Sequence, residues 1–179
     1  VGLPNNQQYI LTIVDDFSRY GEIVTLSRTS DAYTALQTIL IKWMAKLNGR
    51  QLCYLCSDRG GEFMSKELQD WLRDRGVLQQ FSQAYTPQQN GVAERFNGVV
   101  SNKARVLMID SQLPAHFWPY AYRIAAHTRS MLSTSSRSQT PYQLFYNKRP
   151  DVTSLRVFGS HCVVTLVSKS KRKTKMDPR

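Results

Sequence analysis

The sequence predicts a mixed α/β fold. Short apolar, β-branched runs alternate with longer segments of helical periodicity, in the order β-β-α-β-α-β-α-α. The chain has 179 residues, which fits one domain with an extension, and 41% of them are hydrophobic, enough for a core. We expect a domain over residues 1–147 and a basic extension over 148–179 that contains one or two strands.

The strands are predicted from apolar runs that end at turn-forming residues. YILTIV and EIVTL flank the turn-rich DDFSRYG, so they predict a hairpin, and the acids of that turn are expected to be turn residues. Gly159 interrupts the last run. The predicted strands are 9–14, 22–26, 51–56, 77–81 and one or two within 155–167.

The helices are predicted from capping residues followed by apolar residues at helical spacing. Thr29 or Ser30 can cap the first helix, Ser65 the second, and Pro114 fits a first turn. The predicted helices run from about 31 to 47, from 66 to 75, from 92 to about 110 after a loop at 84–91, from 114 through 128, and briefly within 140–147.

The net charge of +11 is concentrated near the C-terminus. Residues 1–122 carry 12 Lys or Arg against 11 Asp or Glu, whereas residues 123–179 carry 12 against two. This asymmetry favours a polyanionic partner, most often nucleic acid, over a merely solvated tail.

Several classes of protein are not favoured. No apolar run approaches the ~20 residues of a membrane span, and no signal segment opens the chain, so we expect an intracellular protein without a membrane partner or a small-molecule substrate. Cys53 and Cys56 form C-x-x-C without a second pair nearby, so they are expected to be buried strand cysteines. The three histidines are scattered and lack the spacing of a zinc site.

Two acids stand out as candidate metal ligands, Asp58 and Glu94. Asp58 follows a predicted strand and precedes Arg59-Gly60-Gly61, a loop that lets a ligand approach the backbone. Glu94 lies on the polar face of the long helix, opposite an apolar face that must be buried. Taken singly, each acid can equally be a turn former or a residue that stabilises a helix N-terminus.

The motifs around these acids resemble a known family. SDRGGEF and AYTPQQNGVAERFN resemble the core of retroviral and retrotransposon integrases, and the 35 residues between Asp58 and Glu94 match the spacing of that family's second and third carboxylates. YILTIVDDFSRY, LPAHFWPYAYRIAAHTRSML, TPYQLFYNKRPDVTSLRVFGSHCVV and KMDPR resemble copia-type long-terminal-repeat retrotransposons. The resemblance extends over nearly the whole chain.

The resemblance implies a ribonuclease H-like fold: a mixed sheet flanked by helices. It implies DNA integration, with phosphodiester cleavage and strand transfer at two Mg²⁺ or Mn²⁺ ions held by three carboxylates. Hard cations prefer such oxygen ligands, and a metal pair can assist both the attacking and the leaving oxygen. It further implies DNA ends and target DNA as partners, a homo-oligomer, and a nuclear location for the integration step.

The family's first aspartate has no match in residues 1–179. Nothing before Tyr9 is acidic, and Asp15 and Asp16 match the turn after the second strand of the family rather than its first strand. We therefore expect the first strand and its ligand to be missing from these residues, and little strand transfer from them alone.

DNA-binding candidates lie on the long helix and in the basic tail. The helix candidates can contact a phosphate backbone, and the tail can bind phosphates or act as a nuclear-entry signal. Gln88, Gln89 and Asn90, in the predicted loop before the long helix, can close on a DNA end. The helix and tail candidates are Arg95, Asn97, Asn102, Arg105, Lys169, Lys171, Arg172, Lys173 and Lys175.

Two other functions remain open from the sequence. A catalytically inactive, host-retained integrase remnant acting as a nucleic-acid-binding module is the main alternative. A ribonuclease H that cleaves RNA–DNA hybrids would share the fold, but the 35-residue spacing and the AERFN context match integrases better.

Overall fold

The computed structural model describes residues 6–46, 49–82, 87–133 and 137–163, without the side chains of 87–90. The basic run at 168–175 therefore lies outside the described residues. The strands are β1 (Tyr9–Val14), β2 (Gly21–Leu26), β3 (Tyr54–Ser57) and β4 (Leu78–Phe81), and the helices are α1 (Ala32–Met44), α2 (Lys66–Arg73), α3 (Pro87–Ser111), α4 (Trp118–Met131) and α5 (Pro141–Tyr146).

The predicted hairpin is confirmed. β1 and β2 pair antiparallel, with Val14 opposite Gly21 next to the turn. Asp15 accepts hydrogen bonds from the backbone N–H and the hydroxyl of Ser18, while Asp16 forms an ion pair with Arg19. Both acids are thus turn residues, as predicted, because their carboxylates bond within the turn itself.

The second pair of strands is parallel and is joined by α2. Tyr54 lies opposite Leu78, and Ser65 caps α2 by accepting a hydrogen bond from the N–H of Leu68. The prediction that Cys53 and Cys56 are buried is wrong: both are exposed. Within the described residues β3 has only β4 beside it, and every second residue of each of these two strands is exposed to solvent.

The larger core forms where α1 packs on the hairpin. Leu36, Leu40 and Trp43 of α1 are buried in one apolar cluster with Leu11 and Ile13 of β1. Leu68 and Leu72 of α2 and Phe145 of α5 belong to the same cluster. This core therefore connects the hairpin to the segment that follows β3.

A charged network borders this core. Glu22 of β2 accepts hydrogen bonds from Lys42 at 2.7 Å, from the indole N–H of Trp43 at 3.0 Å and from the hydroxyl of Tyr20 at 3.0 Å. Burial alone raises the pKa of Glu22, but the bonds from Lys42 and Trp43 outweigh it, so the pKa lies below its ordinary value. Burial also raises the pKa of Tyr20, so its phenol remains a hydrogen-bond donor.

A second core holds α3 and α4 against the hairpin. Phe96 and Val100 of α3 pack with Ala121 and Ala125 of α4 and with Ile23 of β2. The small alanine side chains let the two helices approach closely, and Ile23 ties them to the sheet.

Two predictions about these helices need correction. α3 begins at Pro87, so the loop predicted over 84–91 is wrong from residue 87 onward, and proline fits the first turn of a helix. α4 begins at Trp118 and not at the predicted residue 114, because a short 3-10 helix, Ala115–Phe117, comes first. Its buried residues include Ala121, Ala125, Ala126 and Ser130, whereas Ile124 is exposed.

Residues after α5 form turns and irregular structure as far as the structure describes them. The strands predicted within 155–167 are not formed over 155–163, and the remainder lies outside the described residues. Gly159 adopts φ +84° against Ser111 at the end of α3, a conformation that interrupts an extended run. Asn147 ends α5 in a left-handed conformation, and the boundary between residues 147 and 148 stays a prediction.

Candidate active site

Asp58 lies immediately after β3, as the sequence predicted. Its side chain is exposed, and its Oδ1 atom accepts a hydrogen bond from the backbone N–H of Gly60 at 3.1 Å. The strand holds the main chain of this residue, while the following glycines leave its carboxylate open to a ligand. This placement suits a metal ligand, because one oxygen is oriented by the loop and the group still reaches solvent.

Glu62 is a second carboxylate at this position, and it was not among the acids predicted from the sequence. A Cβ atom added to Gly60 would lie 3.1 Å from Oδ1 of Asp58 and 2.9 Å from Oε2 of Glu62, so these two oxygens lie within about 6 Å of each other. Glycine at position 60 therefore leaves a small space between two carboxylates. The signal was present in the SDRGGEF motif, where Glu62 follows the two glycines in a short 3-10 helix, Gly61–Phe63.

Glu94 is exposed on α3, and the packing of its neighbours fixes the orientation of that helix. Two residues further on, the buried ring of Phe96 lies so close to Gly21 that a Cβ atom at position 21 would overlap the ring. On the polar side, the hydroxyl of Thr12 in β1 donates a hydrogen bond to Oδ1 of Asn97 at 2.7 Å. α3 is therefore held on the hairpin by an apolar contact and a polar one, with Glu94 close to both in sequence and open to solvent.

The other helix candidates lie where a long ligand can reach them. Arg95, Asn102 and Arg105 are all exposed on α3. Asn97 is exposed but is engaged with Thr12. The five tail candidates from Lys169 to Lys175 lie outside the described residues.

The carboxylates fit divalent cations in their chemistry. The oxygens of Asp58 and Glu62 border the space beside Gly60, and hard cations such as Mg²⁺ take oxygen ligands. Within the described ranges, no group of three or more His, Cys, Asp or Glu residues is placed to hold a metal ion. The structure thus brings Asp58 and Glu62 together, while the convergence of Asp58 with Glu94 stays a prediction.

The sequence matches a family model. Residues 1–87 match the model for the integrase core domain. Residues 1–87 belong to the integrase core family. The matched part of this integrase core includes Asp58 and ends before Glu94, so the family model covers the second acid of the predicted triad and not the third.

Curated relatives extend the similarity over most of the chain. The chain is 30% identical over 174 residues to the retrovirus-related Pol polyprotein from transposon TNT 1-94 of Nicotiana tabacum, which covers 96% of the chain. It is 29% identical over 162 residues to the corresponding polyprotein from transposon RE2 of Arabidopsis thaliana, which covers 88% of it. These matches span only 13% and 11% of the two polyproteins. The predicted similarity to copia-type transposon polyproteins is confirmed.

Solved structures confirm the fold class. The HTLV-2 integrase catalytic core domain in complex with magnesium, in its trimeric form, superposes with a TM-score of 0.60 at 20% identity over 76% of this chain and 83% of that one. A chain of the simian T-cell lymphotropic virus intasome in complex with the PP2A regulatory subunit B56 gamma gives a TM-score of 0.61 at 21% identity over 92% of this integrase core and 62% of that chain. The predicted ribonuclease H-like α/β fold class is therefore confirmed. Among the described residues its strands form two small sheets flanked by helices, β1–β2 and β3–β4, and not one mixed sheet.

No helix among the described residues of this integrase core combines the length and apolar character needed to cross a membrane.

Proposed function

We propose that this integrase core acts in DNA integration, with metal-dependent cleavage and strand transfer at Asp58 and Glu94. The observation that carries the proposal is the placement of Asp58 after β3 and of Glu94 on α3, both exposed and separated by 35 residues, in a chain of the integrase core family. Polynucleotidyl transfer is the class of reaction that the family performs.

The residues have distinct roles in this proposal. Divalent cations, when bound, would supply charge stabilisation for an in-line displacement at phosphorus. Asp58 and Glu94 contribute oxygen ligands from a strand end and a helix. The N–H of Gly60 orients one oxygen of Asp58, and the contact of Phe96 with Gly21 fixes the depth of α3.

DNA would lie along the exposed side of α3. Arg95 and Arg105 bring positive charge to this side, and Asn102 adds an amide that can bond a phosphate oxygen. The basic tail adds non-specific affinity for phosphates. Deleting residues 168–179 should therefore flatten the dependence of log affinity on log salt concentration, and an unchanged slope would show that the tail makes no phosphate contacts.

Self-association and a nuclear site of action form part of the same proposal. The HTLV-2 integrase core adopts a trimeric form in one structure and a dimeric form in another, which supports an oligomer here only by similarity. Light scattering of the purified chain measures its mass directly. A fluorescent fusion with and without residues 168–179 tests whether the tail directs nuclear entry.

The test of function compares carboxylate variants in a strand-transfer assay with a labelled DNA end and Mg²⁺ or Mn²⁺. Because the family's first acid has no match in residues 1–179, the wild type should give little product. Asp58→Asn and Glu94→Gln should each remove whatever metal-dependent product forms, because each replaces a carboxylate by an amide of similar size. Asp16→Asn is the matched control, since Asp16 is an exposed turn acid paired with Arg19. It should leave the product unchanged.

Because the family's first acid is not matched in this chain, the same variants are also compared in metal-dependent binding of the DNA end, followed by fluorescence anisotropy. The wild type should bind more tightly with Mn²⁺ than with EDTA, and both active-site variants should lose that difference. Metal-dependent transfer or binding that persists in both variants would contradict the proposal. Loss of transfer in Asp16→Asn would place a ligand in the hairpin turn instead.

A further inference from the structure

The side chain of Asn97 on α3 is held from one end only. Its Oδ1 atom accepts the hydrogen bond from the hydroxyl of Thr12 at 2.7 Å. A side-chain amide carries an acceptor oxygen and a nitrogen with two N–H donors. The described residues provide no partner for that nitrogen, and Asn97 is exposed. Asn97 therefore keeps two N–H donors for a ligand.

Thr12 lies on the face of the hairpin that α3 covers. It is opposite Ile23 in the register of β1 and β2, and side chains that are opposite each other project from the same face of a sheet. Ile23 is buried with Phe96 and Val100 between the hairpin and the helices. Since Thr12 itself is only partly buried, its hydroxyl meets Asn97 at the border of this core.

This hydrogen bond decides which end of the amide faces outward. The last torsion of an asparagine side chain is broad, so an unheld amide presents either its oxygen or its nitrogen. Because Thr12 holds the oxygen towards β1, the nitrogen is the end that remains for a ligand. An N–H group binds an acceptor and does not bind a metal ion. Asn97 is thus prepared for an anionic oxygen and not for the cation that Glu94 would bind.

The surroundings of Asn97 suit a phosphate. Residues three apart are neighbours on the surface of a helix, so Asn97 lies one turn from Glu94. Arg95 and Arg105 expose positive charge on the same helix. A hydrogen bond from an N–H group to an ionised oxygen is shorter and stronger than one between neutral groups. A phosphate attracted by these arginines would therefore gain a directed bond from Asn97.

We propose that Thr12 is a positioning residue for DNA: its hydroxyl holds the oxygen of Asn97 so that the amide nitrogen donates to a phosphate of the DNA. The inference rests on the proposed placement of DNA along α3. Thr12 does not contact the DNA and acts only through Asn97. Loss of one hydrogen bond between neutral groups corresponds to a change in affinity of about twofold to tenfold.

The test is fluorescence anisotropy of the full chain with a labelled DNA duplex, in EDTA so that no metal ion contributes. Thr12→Val keeps the β-branched shape and removes the hydroxyl, so binding should weaken about threefold. Thr12→Ser keeps the hydroxyl and should bind as the wild type does. Thr25→Val is the matched control, because Thr25 lies opposite Ile10 on the same face and its hydroxyl has no partner among the described residues. It should leave the affinity unchanged.

The salt dependence distinguishes a neutral donor from a displaced helix. Asn97 carries no charge, so Thr12→Val should leave the slope of log affinity against log salt concentration unchanged. Arg105→Ala should make this slope shallower by about 1, because a cation that contacts a phosphate is lost. A shallower slope in Thr12→Val would show that the arginines of α3 had moved with the helix, and it would contradict the inference.

A double-mutant cycle and side-chain NMR signals show whether Thr12 acts through Asn97. Asn97→Ala should weaken binding about tenfold, and Thr12→Val should add nothing in that background. When the duplex is added to the wild type, the NH2 signals of Asn97 and of the exposed Asn102 should both shift. Thr12→Val should reduce the shift of Asn97 alone, so Asn102 serves as an internal control.

Three further results would overturn the inference. An equal loss from Thr12→Val in the Asn97→Ala background would show that Thr12 does not act through Asn97. A loss in Thr12→Ser as large as that in Thr12→Val would exclude the hydroxyl. Unshifted NH2 signals of Asn97 beside shifted signals of Asn102 would exclude the phosphate contact and leave the rest of the proposed DNA surface intact.

Failure of the proposed function gives a different result. If neither Asn97 nor Asn102 responds to the duplex, DNA does not lie along α3, and the proposed DNA surface fails together with the inference. Strand transfer and metal binding enter none of these readouts. The roles of Asp58 and Glu94 can therefore fail or succeed independently of Thr12.

Discussion

Replacing Gly21 by alanine should destabilise the protein through the helix that carries Glu94. The added Cβ would lie 2.5, 2.6 and 3.0 Å from three ring carbons of Phe96. Carbon atoms in contact are normally about 3.5–4.0 Å apart, so the ring must retreat by roughly 1 Å. Phe96 is only 6% exposed, so it has little free space to enter.

The net cost follows from two opposing terms. Forcing a methyl group into a packed core costs about 1–3 kcal/mol, and the contact with three ring atoms places this site at the upper end. Alanine restricts the unfolded chain, which returns about 0.4–1 kcal/mol. The expected loss is therefore about 2 kcal/mol, or roughly 4–8 °C in Tm for a protein of this length.

The assay is thermal unfolding followed by circular dichroism, with Gly98→Ala as the matched control. Gly98 lies on the same helix, and a Cβ there meets nothing within 4 Å. Alanine should stabilise the helix there by about 0.5–1 kcal/mol. The two glycine substitutions should thus have opposite signs.

A double-mutant cycle with Phe96→Leu separates the clash from other effects. Leucine removes the part of the ring that the new methyl group meets, so the cost of Gly21→Ala should fall by about 1 kcal/mol or more in that background. Unchanged stability of Gly21→Ala alone, or strict additivity in the cycle, would refute this explanation of how α3 is held on the hairpin.

Other predictions concern the buried carboxylate, a helix cap and the hairpin turn. Glu22→Gln should cost about 1.5–3 kcal/mol, because Lys42 and Trp43 lose a charged acceptor. The folded pKa of Glu22 lies below its ordinary value of 4.5, so the carboxylate's contribution to the free energy of unfolding is fully present above pH 4.5 and is lost as the pH falls through the folded pKa. The difference in the free energy of unfolding between pH 6 and pH 3, measured in urea, should therefore be smaller for the variant than for the wild type. Ser65→Ala should cost about 1 kcal/mol in urea unfolding, because the N–H of Leu68 loses its cap, whereas Ser154→Ala, at an exposed position in the segment after α5, should be neutral. Asp15→Ala should destabilise the protein by about 1 kcal/mol more than Asp16→Ala, because Asp15 accepts two hydrogen bonds from Ser18 while Asp16 forms only an exposed ion pair. Equal losses of stability in urea unfolding would contradict the assigned turn roles.

The elements with strong local signals could be predicted from the sequence. The hairpin followed from two β-branched runs around an Asp-rich turn, and the buried face of α3 followed from the helical spacing of Phe96 and Val100. These features depend on neighbours in sequence, and local periodicity reports them directly.

Features that depend on distant contacts could not be predicted. The start of α3 at Pro87 was missed because Gln-Gln-Asn-Gly is typical of a loop. The burial of Ala125 and Ala126 rather than Ile124 depends on how closely α4 approaches α3. Cys53, just before β3, and Cys56, within β3, were expected to be buried because the run is apolar, but solvent reaches alternate residues of the β3–β4 pair.

In the candidate site, too, local motifs could be predicted from the sequence, whereas the approach of side chains in space could not. Motif spacing predicts Asp58 and Glu94 as metal ligands, and that stays a prediction. The place of Glu62 beside Gly60 was signalled only by its position after the two glycines of SDRGGEF, and the sequence analysis missed it.

The central claim is that Asp58 and Glu94 bind the same divalent cations, and paramagnetic broadening of amide NMR signals by Mn²⁺ tests it most directly. We predict that the signals of residues 58–61 and 94–97 broaden together at the same Mn²⁺ concentration, and that Asp58→Asn weakens both effects while Asp16→Asn weakens neither. Broadening confined to one of the two segments, or unaffected by Asp58→Asn, would contradict it.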